Sequence, residues 1–284
     1  MNYLFLILIT VGISIQQIAK KAYNQKVING AFGFSAASSL YALLFFAVTI
    51  TQKLSFNSEF LIYSILFALC YSVATVCSFM SVLTGPLSIS SLVIQYSLII
   101  PTVYGLIAYK EPISALLIIG ITLLLISLFL VNLEKKGEKK KITIKWGVYT
   151  FFAFVSNGGC STVQKIQQEN CNGNYKNEFM IIALAITVVS LAFFALISEK
   201  KEMIPNIKKG FLWCFICGIA NGMVNYLVLV LSLRMPASIM FPIISAGGIV
   251  LTALISIFFY KEKLSIQQKI GLILGTLAIV ALNL

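Results

Sequence analysis

The sequence predicts an all-α integral membrane protein with ten transmembrane helices arranged as two inverted five-helix repeats. Three observations carry that fold class. Of 284 residues, 59% are hydrophobic and 11% charged, against the roughly 25% charged residues of soluble domains. Ten windows hold the about 20 mostly apolar residues that cross about 30 Å of hydrocarbon. Finally, AYKEPISALLIIG, from Ala108 to Gly120, returns as FYKEKLSIQQKIG, from Phe259 to Gly271, with Tyr, Lys, Glu, Ser, Ile and Gly in register.

The spans follow in order. The first, Asn2 to Ala22, lacks the basic n-region and small-residue cleavage site of a secretory signal and is expected to be retained. Next come Gly30 to Thr51, Glu59 to Leu83, Ser88 to Tyr109 just after Pro86, and Ile113 to Leu133. The Lys-rich stretch EKKGEKKK, Glu134 to Lys141, separates these from Trp146 to Gln168, Glu178 to Ile197, Gly210 to Leu233, Ala237 to Tyr260 and Leu264 to Leu284. Each is expected to be a helix, because a backbone in lipid has no water to bond and must satisfy itself. Barrel strands would alternate apolar and polar residues, which LLIIGITLLLISLFLVNL does not. Nothing of domain size is left outside the membrane.

Charge and cysteine usage narrow the function classes. The net charge of +12 sits in short loops, where lysines meet anionic headgroups and set orientation, so nucleic acid is not an expected partner. Loops after the odd-numbered spans carry sixteen of the 21 basic residues and the other side five. Because basic loops stay cytoplasmic, the Lys-rich loops are predicted to be cytoplasmic and both termini outside, in a multi-pass protein of the plasma (inner) membrane. Of Cys70, Cys77, Cys160, Cys171, Cys214 and Cys217, only the last two form a CxxC, inside a span and without a second ligand pair. They read as small apolar filler, with no metal or other cofactor expected.

The repeat extends beyond the corner motif. GISIQQ, Gly12 to Gln17, matches GCSTVQ, Gly159 to Gln164, through G-x-S-x-x-Q, and Pro86 to Ile89 matches Pro236 to Ile239 through P-x-S-I. The chain therefore divides into a first five-helix repeat, 1–137, and a second, 138–284. With an odd number of spans in each, the second must be inverted, the plan of secondary transporters that bind substrate near the midplane and expose it alternately to each side.

The corner aromatic-K-E-x-[IL]-S, with Gly nine residues after Glu, resembles that of the EamA-type branch of the drug/metabolite transporter superfamily. So do the prolines before the fourth and ninth spans and the ten inverted spans. The resemblance implies a secondary transporter of small metabolites, with spans 1 to 4 and 6 to 9 around a central cavity and spans 5 and 10 peripheral. Pro101 matches the family's helical proline, but Thr252 stands at the corresponding place in the second half. The family's termini are commonly cytoplasmic, opposite to the side the lysine distribution gives here.

Polar groups inside hydrocarbon are expensive and mark substrate paths or helix contacts. The candidate substrate-binding residues are Gln17, Tyr71, Gln95, Tyr96, Asn157, Gln164, Asn221, Asn225 and Tyr226, with Asn221 and Asn225 four apart on one helix face. Amides offer donors and acceptors together and tyrosine adds a ring with a polar tip, a set suited to an uncharged or zwitterionic solute. The same residues also serve to bond helix to helix. Asp and His are absent and the nine Glu lie in loops or at span ends. Relatives that expel lipophilic cations place a Glu on their first helix, where this chain has Gln16 and Gln17.

Glu111 and Glu262 are expected to be helix-start carboxylates favoured by the dipoles of spans 5 and 10, with Ser114 and Ser265 bonding nearby backbone. Lys20 and Lys165 are expected to snorkel to the interface. Together the residues predict a secondary transporter of a small polar metabolite working by alternating access, as facilitated movement or exchange. The alternative is proton-coupled export of drugs or lipophilic cations. An enzyme is not expected, for want of clustered His, Asp or Glu in the membrane, and a receptor or pore is less favoured by inverted halves. The expected partners are a small-molecule substrate and the lipid bilayer, the protein itself being a monomer or homodimer.

Overall fold

A computed structural model describes residues 2–27, 30–50, 55, 58–84, 90, 93–94, 96–111, 113–131, 143–258 and 265–283. Among them every regular element is helical. The longer helices are α1 (Asn2–Lys26), α2 (Ala31–Val48), α3 (Leu61–Thr84), α4 (Ile99–Ala108), α5 (Ala115–Val131), α6 (Ile144–Asn170), α7 (Lys176–Ser198), α8 (Phe211–Ser232), α9 (Ala237–Phe258) and α10 (Ile266–Asn283). A 3₁₀ turn, Lys200–Glu202, and a short helix, Met203–Lys209, lead from α7 into α8.

Five stretches are long and apolar enough to cross a bilayer: Asn2–Lys26, Ala31–Val48, Ser58–Ser81, Lys176–Ser198 and Phe211–Ser232. Shorter apolar helical stretches are Ile99–Ala108, Ala115–Ser127, Ala237–Gly248 and Lys269–Ala278. α6 has 27 residues, about 40 Å at about 1.5 Å per residue, but carries Asn157, Gln164, Gln167 and Gln168 along its length. Large aliphatic side chains point outward from helix interiors, Val189 70% and Leu69 61% exposed. A water-soluble fold would cover such a surface; acyl chains cover it in a bilayer. The chain is a multi-pass integral membrane protein.

Packing groups the chain into two compact units. One comprises Gly12–Val76 and Val163–Leu233. Here α2 packs against both α7 and α8. Small residues let it come close: a Cβ on Gly218 of α8 would lie 2.4 Å from the Ser38 carbonyl oxygen, and one on Gly222 would lie 2.8 Å from the Phe45 Cβ. Cys214 and Cys217 are buried with Ala19, Tyr23, Val27, Phe34 and Ala37, so the CxxC lies in an apolar cluster.

The other unit comprises Met1–Val11, Cys77–Thr162 and Arg234–Leu284. Here α10 packs on α5, and α9 packs on α4, α5 and α10. Ser127 donates to the Gly271 carbonyl at 2.5 Å, joining α5 to α10. Within their units, then, α2 lies against α7, α4 against α9 and α5 against α10, each helix beside the one five places later.

Two helix starts are closed by carboxylates from far along the chain. Glu111 Oε1 and Oε2 accept the backbone N–H groups of Ala237 and Ser238, both at 2.8 Å, at the start of α9. Glu199, directly after α7, accepts those of Phe32 and Gly33 at 2.8 and 3.0 Å at the start of α2. The first turn of a helix leaves N–H groups without intrahelical partners and carries partial positive charge. Glu111 thus serves α9 rather than the following helix, correcting the expectation of a carboxylate acting on its own span. Ser114 does bond its own helix, its Oγ accepting Leu117 N–H at 3.0 Å. Glu262, the Lys-rich loop 134–141 and the residues from Phe259 to Leu264 of the second corner motif lie outside the described residues.

Candidate polar site

The end of α6 sets up the site. Asn172 (φ 49°) and Gly173 (φ 77°) turn left-handed. Gly173 N–H then reaches the Gln168 carbonyl and Asn172 N–H the Glu169 carbonyl, a Schellman closure. A Cβ at Gly173 would come within 2.4 Å of Leu233, so the closure brings the end of α6 against the end of α8. Lys165 is fixed there. Its ammonium donates to the Ser232 carbonyl and pairs with Glu169 Oε1 at 2.8 Å, with 3% of the residue exposed. Its charge closes the C-terminus of α8, where carbonyls lack partners and the helix dipole is negative. The expected snorkelling to the interface is replaced by this contact.

One turn deeper lies a network of amides. Gln164 Nε2 donates to Asn225 Oδ1 at 2.8 Å. Asn225 Nδ2 donates to Asn221 Oδ1 at 2.9 Å and to the Asn221 carbonyl at 3.0 Å. Asn221 Nδ2 donates to Gln16 Oε1 at 3.0 Å, and the Tyr71 hydroxyl donates to Asn221 Oδ1 at 2.9 Å. α1 and α3 thus meet α8 at Asn221, and α6 joins the network through Asn225. Asn221 sits about 16 Å from either end of α8 at about 1.5 Å per residue, the half-thickness of about 30 Å of hydrocarbon. Gln164 and Asn225 are buried, and the four amide side chains carry no charge.

The network is directional and not closed. Each amide nitrogen has two donors and each amide oxygen two lone pairs. Among the described residues these bonds take one N–H of Asn221 and one of Gln164, which leaves donor and acceptor capacity at the same depth. A solute presenting a carbonyl beside an N–H or O–H matches that capacity without bringing a net charge.

The remaining candidates are distributed differently. Tyr226 points from α8 to the aromatic rings of α2, 6.1 Å from Phe46 and 6.5 Å from Phe45, with Lys176 5.3 Å from its ring. Asn157 Nδ2 donates to Ser97 Oγ at 2.6 Å and the Tyr96 hydroxyl to the Leu125 carbonyl at 3.1 Å, both in the other compact unit. Gln95 and the side chain of Gln17 lie outside the described residues. Gln16 was not among the candidates, because the G-x-S-x-x-Q match draws attention to Gln17. No sequence signal finds it: Gly12, one helical turn before Gln16, marks the α1 face toward α8 only through the structure, where its Cβ would lie 2.5 Å from Val224.

Comparison with known proteins adds a family and a fold. Residues 144–284 match the EamA-like transporter family. No curated protein matches the chain. A solved protein crystal structure superposes with a TM-score of 0.79 at 12% identity, covering 99% of this chain and 98% of that one, a likeness of fold.

Proposed function

We propose, for a chain that belongs through its residues 144–284 to the EamA-like transporter family of the drug/metabolite transporter superfamily, the movement of a small uncharged or zwitterionic metabolite by alternating access. The observation that carries this reading is the uncharged amide network centred on Asn221, half-way along α8 and fed by four helices. Gln16, Tyr71, Gln164, Asn221 and Asn225 are its binding residues, offering paired donors and acceptors.

The wider architecture in this proposal is ten spans in two inverted repeats, 1–137 and 138–284. The packing of α2 on α7, α4 on α9 and α5 on α10 supports it, as repeats related by a two-fold axis bring matching helices together. So does the exchange of caps, Glu111 of the first repeat holding α9 and Glu199 of the second holding α2. The Lys-rich loops face the cytoplasm in this arrangement.

The test is a thermal-shift screen of neutral amino acids, nucleobases and related solutes on purified protein, followed by uptake into liposomes. A ligand at a hundredfold excess over its Kd stabilises by about 2.7 kcal/mol. The expected result is a shift that Asn221→Ala and Gln164→Ala each abolish, together with saturable uptake that both lose. A ligand whose shift and uptake survive both substitutions removes the network from the substrate site.

A further inference from the structure

The start of α2 holds a second polar arrangement, in the same compact unit but at the opposite end of α8 from Lys165. Glu199 Oε1 accepts both N–H groups of the α2 first turn, but Glu199 Oε2 is buried and has no hydrogen-bond partner among the described residues. The Tyr23 hydroxyl, on the last turns of α1, is likewise buried without a partner, in a side chain with 0% exposure. Buried polar groups in native folds nearly always find a partner, so two such oxygens beside one helix start call for an explanation.

The glycines of that helix start locate them. A Cβ on Gly30 would lie 2.6 Å from the Tyr23 hydroxyl oxygen, and one on Gly33 would lie 2.6 Å from Glu199 Oε2. Gly30 is the N-cap of α2 and Gly33 lies in its first turn, so the two oxygens both border the entry to this helix. We propose that Glu199 binds and releases a proton at Oε2, with the Tyr23 hydroxyl as the partner of the carboxyl proton.

The proton balance is simple. Ionised Glu199 gives α2 a counter-charge through Oε1; Oε2 and the Tyr23 hydroxyl are unbonded among the described residues and pair only after a side-chain shift in which the Tyr23 O–H donates. On protonation Oε1 remains an acceptor for Phe32 and Gly33 N–H, while the new O–H on Oε2 donates to the Tyr23 oxygen and the counter-charge is gone. Burial holds the carboxyl above the usual glutamate range, against the two backbone N–H groups that pull it down, with the charge of Glu202 adding to the rise.

The other titratable or charged groups on the surrounding elements include Lys20 and Lys26 of α1, the latter stacked on Trp213, Tyr41 of α2, Cys214 and Cys217 of α8, and exposed Lys200, Lys201, Lys208 and Lys209 of the connecting segment. α2 also touches α8 at Gly218 and Gly222, one turn below and next to Asn221. One packed helix thus joins the proton site to the amide network, which makes proton occupancy a determinant of transport. That last step rests on the transport reading; the proton site itself does not.

The test uses the full-length protein in detergent and tryptophan emission, since Trp213 packs against the cluster that contains Tyr23. Emission titrated from acid to neutral pH should show a transition with its midpoint above the about 4.3 of free glutamate. Glu199→Gln, which keeps an acceptor for both N–H groups but cannot ionise, should abolish it, and Glu199→Asp should retain it at a displaced midpoint. Gly33→Ala, which presses a methyl on Oε2, should displace the midpoint even if Glu199→Gln folds poorly. A transition unchanged in Glu199→Gln, or unmoved in Gly33→Ala, overturns the proton site. In liposomes, uptake should depend on pH in the unaltered protein and lose that dependence in Glu199→Gln. A transition without any uptake would count against the transport reading alone.

Discussion

Asn221 is the residue with most to lose. Its Oδ1 accepts two hydrogen bonds and its Nδ2 gives one, so Asn221→Ala takes one hydrogen bond each from Tyr71, Gln16 and Asn225. Side-chain hydrogen bonds between membrane helices average about 0.6 kcal/mol and reach about 1.7. A loss of about 1–3 kcal/mol is therefore expected in unfolding from mixed micelles, while Asn221→Asp, which sets an oxygen against Gln16 Oε1 and brings a carboxyl to mid-helix, should lose more. Equal losses for the two would mean that the hydrogen-bond pattern does not matter. The pair Asn221 and Asn225 was legible in the sequence, because two amides four residues apart in an apolar helix must share a face and find partners. Gln16 was not legible. The rotation of α1 about its axis decides between Gln16 and Gln17, and that rotation is fixed by Gly12 meeting Val224 more than 200 residues later. At Glu199, the pH sense follows from its raised proton affinity. A carboxyl that binds protons more tightly when folded adds stability that is full below the free-glutamate range and is lost as pH rises through the folded value. The melting temperature of Glu199→Gln should therefore gain on that of the unaltered protein over that rise; a constant difference would contradict the assignment.

Helical character was readable from composition, because hydrocarbon leaves the backbone few options, but the fourth span, expected from Ser88 to Tyr109, is interrupted by a turn at Ser97 and Leu98, after which the helix Ile99–Ala108 follows. The partners of helix ends were not readable. Glu111 is one residue from a proline and close to the start of α5, so local chemistry points to α5, yet its carboxylate is 126 residues away in sequence from Ala237. Only tertiary packing brings them together; Gly105 permits it, since a Cβ there would lie 2.8 Å from Glu111 Oε2 and 2.7 Å from Ala237 Cβ. Loss of a helix N-cap costs about 0.5–2 kcal/mol, so Glu111→Ala should destabilise by that amount, with Glu111→Gln keeping part of it. Gly105→Leu should cost more than Glu111→Ala, because it separates the two elements as well as removing the contact. The α2–α8 pair has a similar dependence. The atom facing Gly218 is a backbone oxygen at 2.4 Å, which cannot swing aside, so Gly218→Leu should abolish folding of the unit, as read by gel filtration in detergent.

At the scale of the whole molecule, the sequence repeat and the compact units divide the chain differently. The proposed repeat divides the sequence at 1–137 and 138–284, whereas each compact unit takes helices from both sides of that division. Pattern matching points to the first through residues in register, such as those of Ala108 to Gly120 and Phe259 to Gly271. It cannot find the second, which depends on which helix surfaces meet: Gly218 with Ser38, and Ser127 with the Gly271 carbonyl. Sidedness has its own test. A reporter fused after Leu284 and active only in the cytoplasm should be silent, and activity there would reverse the orientation argued from the lysines. The crossed glutamates also set an order of events during biosynthesis. The start of α2 emerges from the ribosome long before Glu199 is made, and Glu111 waits equally for Ala237. Neither half can finish its own helix ends, so a fragment ending near residue 137 should stay protease-sensitive alone and become resistant once the complementary fragment is co-expressed.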